Sequence, residues 1–439
     1  MYVCIRQIKE WRYCGQSFGY GAKPDELKQA EKDPVLWLKN SLVDITLDAS
    51  LPHSSEVIQA LVTFRQEKMK AKNNPEMSMK KAVNTPRNIS RLFIVDGLKQ
   101  SIASPNSLSW RLLDFFSNHF SVSMSGQMMT ALAPTLEREA IAPHLFGRFE
   151  DMLLAVTKHP AMLFYLNNEK SYGPNSRLGK KRKKGMNENL AREILELHSL
   201  GVDGGYSQND VIALAKGITG WSINTNSKKG TLGFTFNMYG HEPGGQYFLG
   251  KEYRQKGITQ GEAMLKAIAK HPSTARFLCF KLAKHFVSDK PSEALLKKLV
   301  SVWLKTDGNI KSVVTALIDH PDAWQPNDQK LKTPREFVVS ALRALNITKI
   351  KPNYLLFSLI SLGQKPFSAG SPAGYSDDGS GWDGASALMA RIDWANSIAA
   401  MSRVNAENVL KNSFSDHISQ QSYQVITRAE SRKQALTLL

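Results

Sequence analysis

The sequence predicts a mainly α, multi-helix globular protein with a small β-hairpin insert. Three observations carry this expectation. Apolar residues recur at helical spacing along most of the 439 residues. Start and stop signals, Pro, Gly and Ser/Thr/Asp caps, bracket those stretches. Only after Trp221 does the period change to the alternation of a strand. A hydrophobic content of 42% and a charged content of 22% suit a folded chain with a large core.

Residues 1–64 read as short helices: Phe18 to Pro24 turns into Asp25-Glu26-Leu27, and Pro34 opens a helix through Leu38. Residues 65–88 are charged and polar, as in a solvated helix end and a loop. From Ile89 the helical period resumes. Leu108 to Phe120, apolar and aromatic with His119 near its end, reads as a central core helix. Ala142-Pro143 opens a helix through Phe149 to Val156 that ends at His159-Pro160, and the same ending recurs at His271-Pro272 and His320-Pro321. A histidine in a last turn favours the helix dipole, and a proline at the first position of the next helix costs no hydrogen bond. The expectation is a reusable helix corner rather than three metal ligands.

Asn187 to Gly201 has strong helix formers, no proline, and a glycine where a helix should stop. At 100° per residue Glu188, Arg192 and Glu196 fall along one strip, with Asn189 and Glu193 beside it. Leu190, Ile194 and Leu197 lie opposite, and Ala191, Leu195 and His198 further round. Gly201, Gly204 and Gly205 break the helix. Ser207, with Asp210 at the third position, caps a second helix from Val211 to Ile218. Val202 to Tyr206 lacks the oxygen ligands and closing Glu of a calcium loop.

Upstream, residues 171–186 form a Gly/Ser loop with five consecutive cations, Lys180, Lys181, Arg182, Lys183 and Lys184. Such a run stays solvated unless it forms an anion-binding lip beside the ladder helix. Leu232 to Asn237 alternates and Gly244 to Gly250 follows, predicting one hairpin near 231–250 with His241-Glu242 near its tip. Residues 258–325 and 334–362 are helical, the latter opened by Thr333, Pro334 and the capping-box partner Glu336. A Gly/Ser/Pro loop, 363–386, holds Asp377, Asp378 and Asp383, and a final helix pair covers 385–402 and 405–435. The domain reading is one helical domain over 15–402 and a C-terminal helix in 403–439.

Composition narrows the function classes. Lys and Arg number 57 against 39 Asp and Glu, a formal net charge of +18, which attracts acidic partners such as nucleic acid, anionic glycans or lipid headgroups. No run of about 18 apolar residues exists, so no membrane-spanning helix is expected, and the first residues lack the apolar stretch of a signal peptide. Cys4, Cys14 and Cys279 lack metal-finger spacing; a bridge between Cys4 and Cys14 stays open. Phosphate-cradling, dinucleotide, His-Glu-x-x-His and Gly-x-Ser-x-Gly motifs are all missing.

The candidate site is therefore the ladder helix. Glu188, Arg192, Glu196 and His198 are the candidate catalytic groups, provided the charged strip faces a polar interior. On a surface, the same ladder contributes only about 0.3–0.5 kcal/mol per pair. Asn187, Asn189, Glu193 and Lys180 to Lys184 are candidate ligand-binding groups. His119, His241 and Glu242, with the ladder carboxylates, are candidate ligands for a divalent metal.

The segment NENLAREILELHSLGVDGGYSQNDVIALAKGITGW (187–221) closely resembles the signature of a bacterial family, domain of unknown function 1800 (DUF1800). FGYGAKPDELKQAEKDPVLWLKNSL (18–42), FFSNHFSVS (115–123), GRFEDMLLAVTKHPAMLFYLNNEKSYGPNS (147–176), FTFNMYGHEPGG, GKEYRQKG and SGWDGASALMARIDWANSIA resemble it in the same order. The resemblance spans roughly residues 15–402. It implies an exported protein, periplasmic or extracellular, often encoded beside a second protein similar to sulfatases and alkaline phosphatases; it implies no reaction and no cofactor. Residues 1–14 depart from the expected export signal, which leaves a cytoplasmic location open. The function expected is an envelope or extracellular binding and assembly factor for an anionic ligand, acting with a partner protein. The alternative is a metal-assisted hydrolase acting on an anionic polymer or ester, and nucleic-acid binding through Lys180 to Lys184 is the weakest of the three.

Overall fold

The structure is a computed structural model, and it describes residues 18–24, 26–30, 32–73, 85–182, 185–325, 330–414 and 418–439. Helix α1 (Glu26–Ala30) leads into α2 (Pro34–Asn40), which Asp33 starts by accepting the Leu36 N–H at 2.8 Å, and then α3 (Ser54–Asn73). Next come α4 (Pro86–Ala103), capped by Thr85, and α5 (Ser107–His119), in which ten of thirteen residues are buried. The core-helix expectation for α5 is met. Helix α6 (Gly126–Leu136) continues into a π turn, Glu137–Ile141, and is followed by α7 (Phe149–Lys158), α8 (Pro160–Tyr165), α9 (Arg177–Arg182), α10 (Asn189–Glu193) and α11 (Gln208–Gly217).

Among the described residues, strands are confined to two antiparallel pairs: β1 (Trp221–Asn224) with β2 (Gly233–Phe236), and β3 (Gln246–Phe248) with β4 (Lys251–Tyr253). The single hairpin expected near 231–250 is thus two. Trp221 pairs with Phe236, so the first hairpin starts ten residues earlier than the alternation suggests. The second turns at Leu249-Gly250, both at positive φ (46° and 74°), as a two-residue type I′ turn requires. His241 and Glu242 lie in the link between the two sheets rather than at a tip.

The remaining helices are α12 (Ile258–Ala269), α13 (Pro272–Phe286), α14 (Glu293–Lys305), α15 (Ile310–Asp319), α16 (Pro334–Ala344), α17 (Pro352–Ser361), α18 (Ala385–Met401), α19 (Ala406–Val409), α20 (Gln420–Thr427) and α21 (Arg432–Leu438). The stretch 405–435 is several short segments, not one helix. Buried apolar side chains from Phe18 to Leu436 form one contiguous cluster, with Ile398 of α18 and Leu436 of α21 both in it. The fully buried Arg343 pins the start of the chain to α16: it donates to the carbonyls of Gly21 (2.9 Å) and Ser104 (2.6 Å) and to Glu26 (2.8 Å).

The three His-Pro corners share one geometry, and the histidine works in the opposite sense to the expectation. The residue before a proline is held extended. Each histidine therefore sits outside its preceding helix and becomes the N-cap of the next segment. Its Nδ1 accepts the N–H of Ala161, Ser273 or Asp322, at 3.2 Å in each case. An acceptor nitrogen carries no proton, so each histidine serves as an acceptor cap for the segment after it instead of closing the helix before it.

Candidate functional site

The ladder forms as spaced, and it is half-exposed. Arg192 reaches Glu188 at 3.3 Å and Glu196 at 3.4 Å, with the three side chains 38%, 33% and 29% exposed. Gln208 of α11 closes the strip by accepting from Arg192 at 2.9 Å and donating to Glu188 at 2.8 Å. After Glu193 the helix widens into a π turn, Ile194–His198, so the segment is not one regular α-helix. Burial, then the carboxylate of Glu196, pushes the Tyr206 phenol up to about 12. Burial and Glu196 likewise raise Glu193. Asn187 ties the chain together: its side-chain oxygen accepts from Asn189 N–H at 2.9 Å, and its amide donates to Leu166 O at 3.2 Å. Lys180 and Lys181 are exposed; the Arg182 side chain, Lys183 and Lys184 lie outside the described residues, as do Cys4 and Cys14.

The candidate metal groups fall into separate places. His119 and His198 are neighbours in the core, with ring centroids 6.1 Å apart. His119 Nε2 donates to the His198 carbonyl at 3.1 Å, and its Nδ1 lies 3.1 Å from Lys281 Nζ. Burial, reinforced by Lys281, drives His119 well down and His198 to about 3, so both are neutral. His241 bonds the Thr219 carbonyl at 3.0 Å. Glu242 accepts from Asn175 N–H at 2.9 Å and from its side-chain amide at 2.7 Å. Among the described residues, no three His, Cys, Asp or Glu groups converge as a metal site.

A denser polar centre sits elsewhere. A cavity of about 100 Å³ lies between α5, the end of α13, the start of α16 and the loop 363–383. Helix α5 places Arg111, Asp114 and Asn118 along one face, at i, i+3 and i+7. The capping box at Thr333 fixes the first turn of α16 and with it Arg335 and Glu336. Asn118 holds the loop as a strand would, donating to Tyr375 O at 2.9 Å and accepting from Tyr375 N–H at 2.8 Å. Gly374 allows that approach: its φ is +82°, and a Cβ there would lie 2.5 Å from Asn118 O.

Two chains of charge line this cavity. In the first, the buried Arg111 donates to Glu336 at 2.8 Å and to the His285 carbonyl at 3.0 Å. His285 Nδ1 meets Asp377 Oδ1 at 3.2 Å; a carboxylate only accepts, so Nδ1 carries the proton. Its Nε2 is buried with no hydrogen-bond partner among the described residues, and Glu336 Oε1 stands 3.9 Å away. Burial lowers His285 against the pull of Asp377, keeping the ring neutral. Burial works upward on Glu336, but the cations, Arg111 foremost and then Lys332, overcome it and hold that carboxyl at about 2. In the second chain, Arg335 Nε donates to Asp114 at 2.5 Å. Burial nonetheless pushes Asp114 up to about 7, Arg335 opposing, and it raises Glu137 across the cavity.

One cavity thus holds carboxyls raised by burial, Asp114 and Glu137, beside one held low by its cationic neighbours, Glu336. Sequence reading reached Glu336 only as a cap and Asp377 only as a loop residue, and it passed over Arg111, Asp114, His285 and Arg335. The signal was a pair of charges, Arg111 and Asp114, inside an otherwise apolar helix, since buried charges must be paired. In comparisons with known proteins, a family model described as "Protein of unknown function (DUF1800)" matches residues 14–438. No curated protein and no solved structure matches.

Proposed function

The chain belongs to the DUF1800 family, and we propose that its cavity is an acid–base catalytic site in which His285, as general base, activates a water or a small hydroxyl compound toward an ester carbon. One observation carries the reading: Asp377 fixes the Nδ1–H tautomer, so the lone pair on the unpartnered Nε2 faces the cavity wall beside Glu336. Glu336 Oε1 already accepts from Arg111, so it is Nε2 that asks for a donor, a water or a substrate hydroxyl. In the step proposed, that O–H gives its proton to Nε2 as its oxygen bonds to an electrophilic carbon. The leaving group then departs with the proton returned from the imidazolium. Asp114, whose carboxyl burial pushes up to about 7 against Arg335, is the second group that can exchange a proton. Arg111 and Arg335 are already matched by Glu336 and Asp114, so the lining favours a neutral or cationic substrate over a multiply charged anion.

The test uses p-nitrophenyl acetate as probe. His285→Gln keeps the shape of the ring's hydrogen-bonding end and removes the base, so turnover should fall by about 10²–10⁴ with the fold unchanged by circular dichroism. Equal turnover in the variant would reject the reading.

The +18 charge favours a second reading outside the cavity, binding of an anionic ligand; the envelope or extracellular location and the sulfatase- or phosphatase-like partner are what the family resemblance adds to it. Heparin affinity that falls steeply with salt and weakens in a Lys180→Ala/Lys181→Ala variant supports it; salt-independent retention removes it. Metal-assisted hydrolysis ranks below both, because the candidate ligands do not converge. No helix among the described residues is long and apolar enough to cross a membrane.

A further inference from the structure

A second cavity lies on the other side of the first turn of α16. Thr333 and Glu336 border the acid–base cavity, whereas Lys332 borders this one. It is a groove of about 390 Å³ between α16, α18 and α21, within the range of small-molecule sites. On α16, Phe337, Ala341 and Ala344 share one helical face at i, i+4 and i+7, and the two alanines leave the space empty. Trp394 faces them from α18 and Leu436 from α21. The walls are largely apolar.

The side-chain charge that lines the groove is basic. Its charged side chains are Lys332 and Arg391, and no acidic side chain lines it. The Arg391 guanidinium lies 5.2 Å over the Phe337 ring, and its Nη2 donates to the Lys332 carbonyl at 2.7 Å. Its Nε and Nη1 have no hydrogen-bond partner among the described residues. An oriented, partly desolvated guanidinium at the edge of an apolar slot matches a ligand with one planar anionic end and an aliphatic body. We propose that the groove binds a free medium-chain fatty acid, the alkyl chain between α16 and α21 and the carboxylate on Arg391. The site is separate from the acid–base cavity and does not depend on its chemistry.

Titration calorimetry of the full chain with laurate, below its micelle concentration, tests this. One site per chain is expected. Ala344→Phe, which fills the groove, should weaken binding at least tenfold; if that variant does not fold, Ser340→Leu fills it less severely and should weaken binding in the same direction. Arg391→Gln should weaken laurate at least tenfold and leave dodecanol, which has no carboxylate, unchanged. His285→Gln should leave laurate binding intact, which separates this site from the acid–base one. No heat with laurate, or undiminished affinity in both groove-filling variants, overturns the proposal. Equal losses for laurate and dodecanol in Arg391→Gln overturn the assignment of the carboxylate to Arg391.

Discussion

Asp114 offers a measurable consequence of the cavity's electrostatics. Its carboxyl, ordinarily near 3.8, rises to about 7 in the fold, because α5 buries it and Arg335 only partly compensates. A raised carboxyl binds its proton more tightly in the folded state. Its contribution to stability is therefore fully present below the unfolded value and is lost as pH rises through 7. The full shift is worth about 4 kcal/mol, and the part released between pH 5 and pH 8 is about 2–3 kcal/mol. Wild-type stability alone will not display it. His119, His198 and His285 are held neutral by burial, and each adds stability as pH rises toward its ordinary value. The informative quantity is the difference between wild type and Asp114→Asn in urea unfolding, since the histidines cancel. Relative to wild type, Asp114→Asn should gain about 2–3 kcal/mol between pH 5 and pH 8. A difference that stays flat over that window means the carboxyl is not desolvated in the way described, and the second proton-exchanging group is lost with it.

Other expectations follow from the same contacts. Arg111→Met leaves Glu336 buried without its 2.8 Å partner and should cost about 3–5 kcal/mol, whereas Arg111→Met/Glu336→Met should recover most of the loss in the same unfolding assay. Arg192→Ala, in the half-exposed ladder, should cost no more than about 1 kcal/mol and should lose its effect in high salt. His271→Ala removes the acceptor of the Ser273 N–H and should cost about 1 kcal/mol, with His271→Asn retaining most of it. Burial lowers His271, so its cap persists through neutral pH and is lost only as acid protonates the acceptor nitrogen.

Local features were legible in the sequence where local chemistry determines them. The capping boxes at Ser207/Asp210 and Thr333/Glu336, the core helix from Ser107 and the salt-bridge ladder at 188, 192 and 196 all formed as their spacing implied. Two local readings failed for local reasons. The His-Pro dipeptide was assigned to the helix before it, yet the backbone restriction imposed by proline hands the histidine to the segment after it. The register of the first hairpin was set by Trp221 pairing with Phe236 across a loop, which alternation alone does not reveal. The acid–base cavity was illegible for a different reason. Arg111, His285, Glu336 and Asp377 come from four separate elements, and no spacing rule connects them. The groove at Arg391 depends in the same way on three helices meeting.

Asp377 holds His285 as the neutral Nδ1–H tautomer, which leaves the buried Nε2 without a partner beside Glu336. Nitrogen-15 NMR of histidine-labelled protein, with His285 assigned by substitution, reads this directly. A protonated Nδ1 and an unprotonated Nε2 are expected from pH 6 to pH 8, with loss of that fixed tautomer in Asp377→Asn. An Nε2–H tautomer, or an imidazolium across that range, contradicts it.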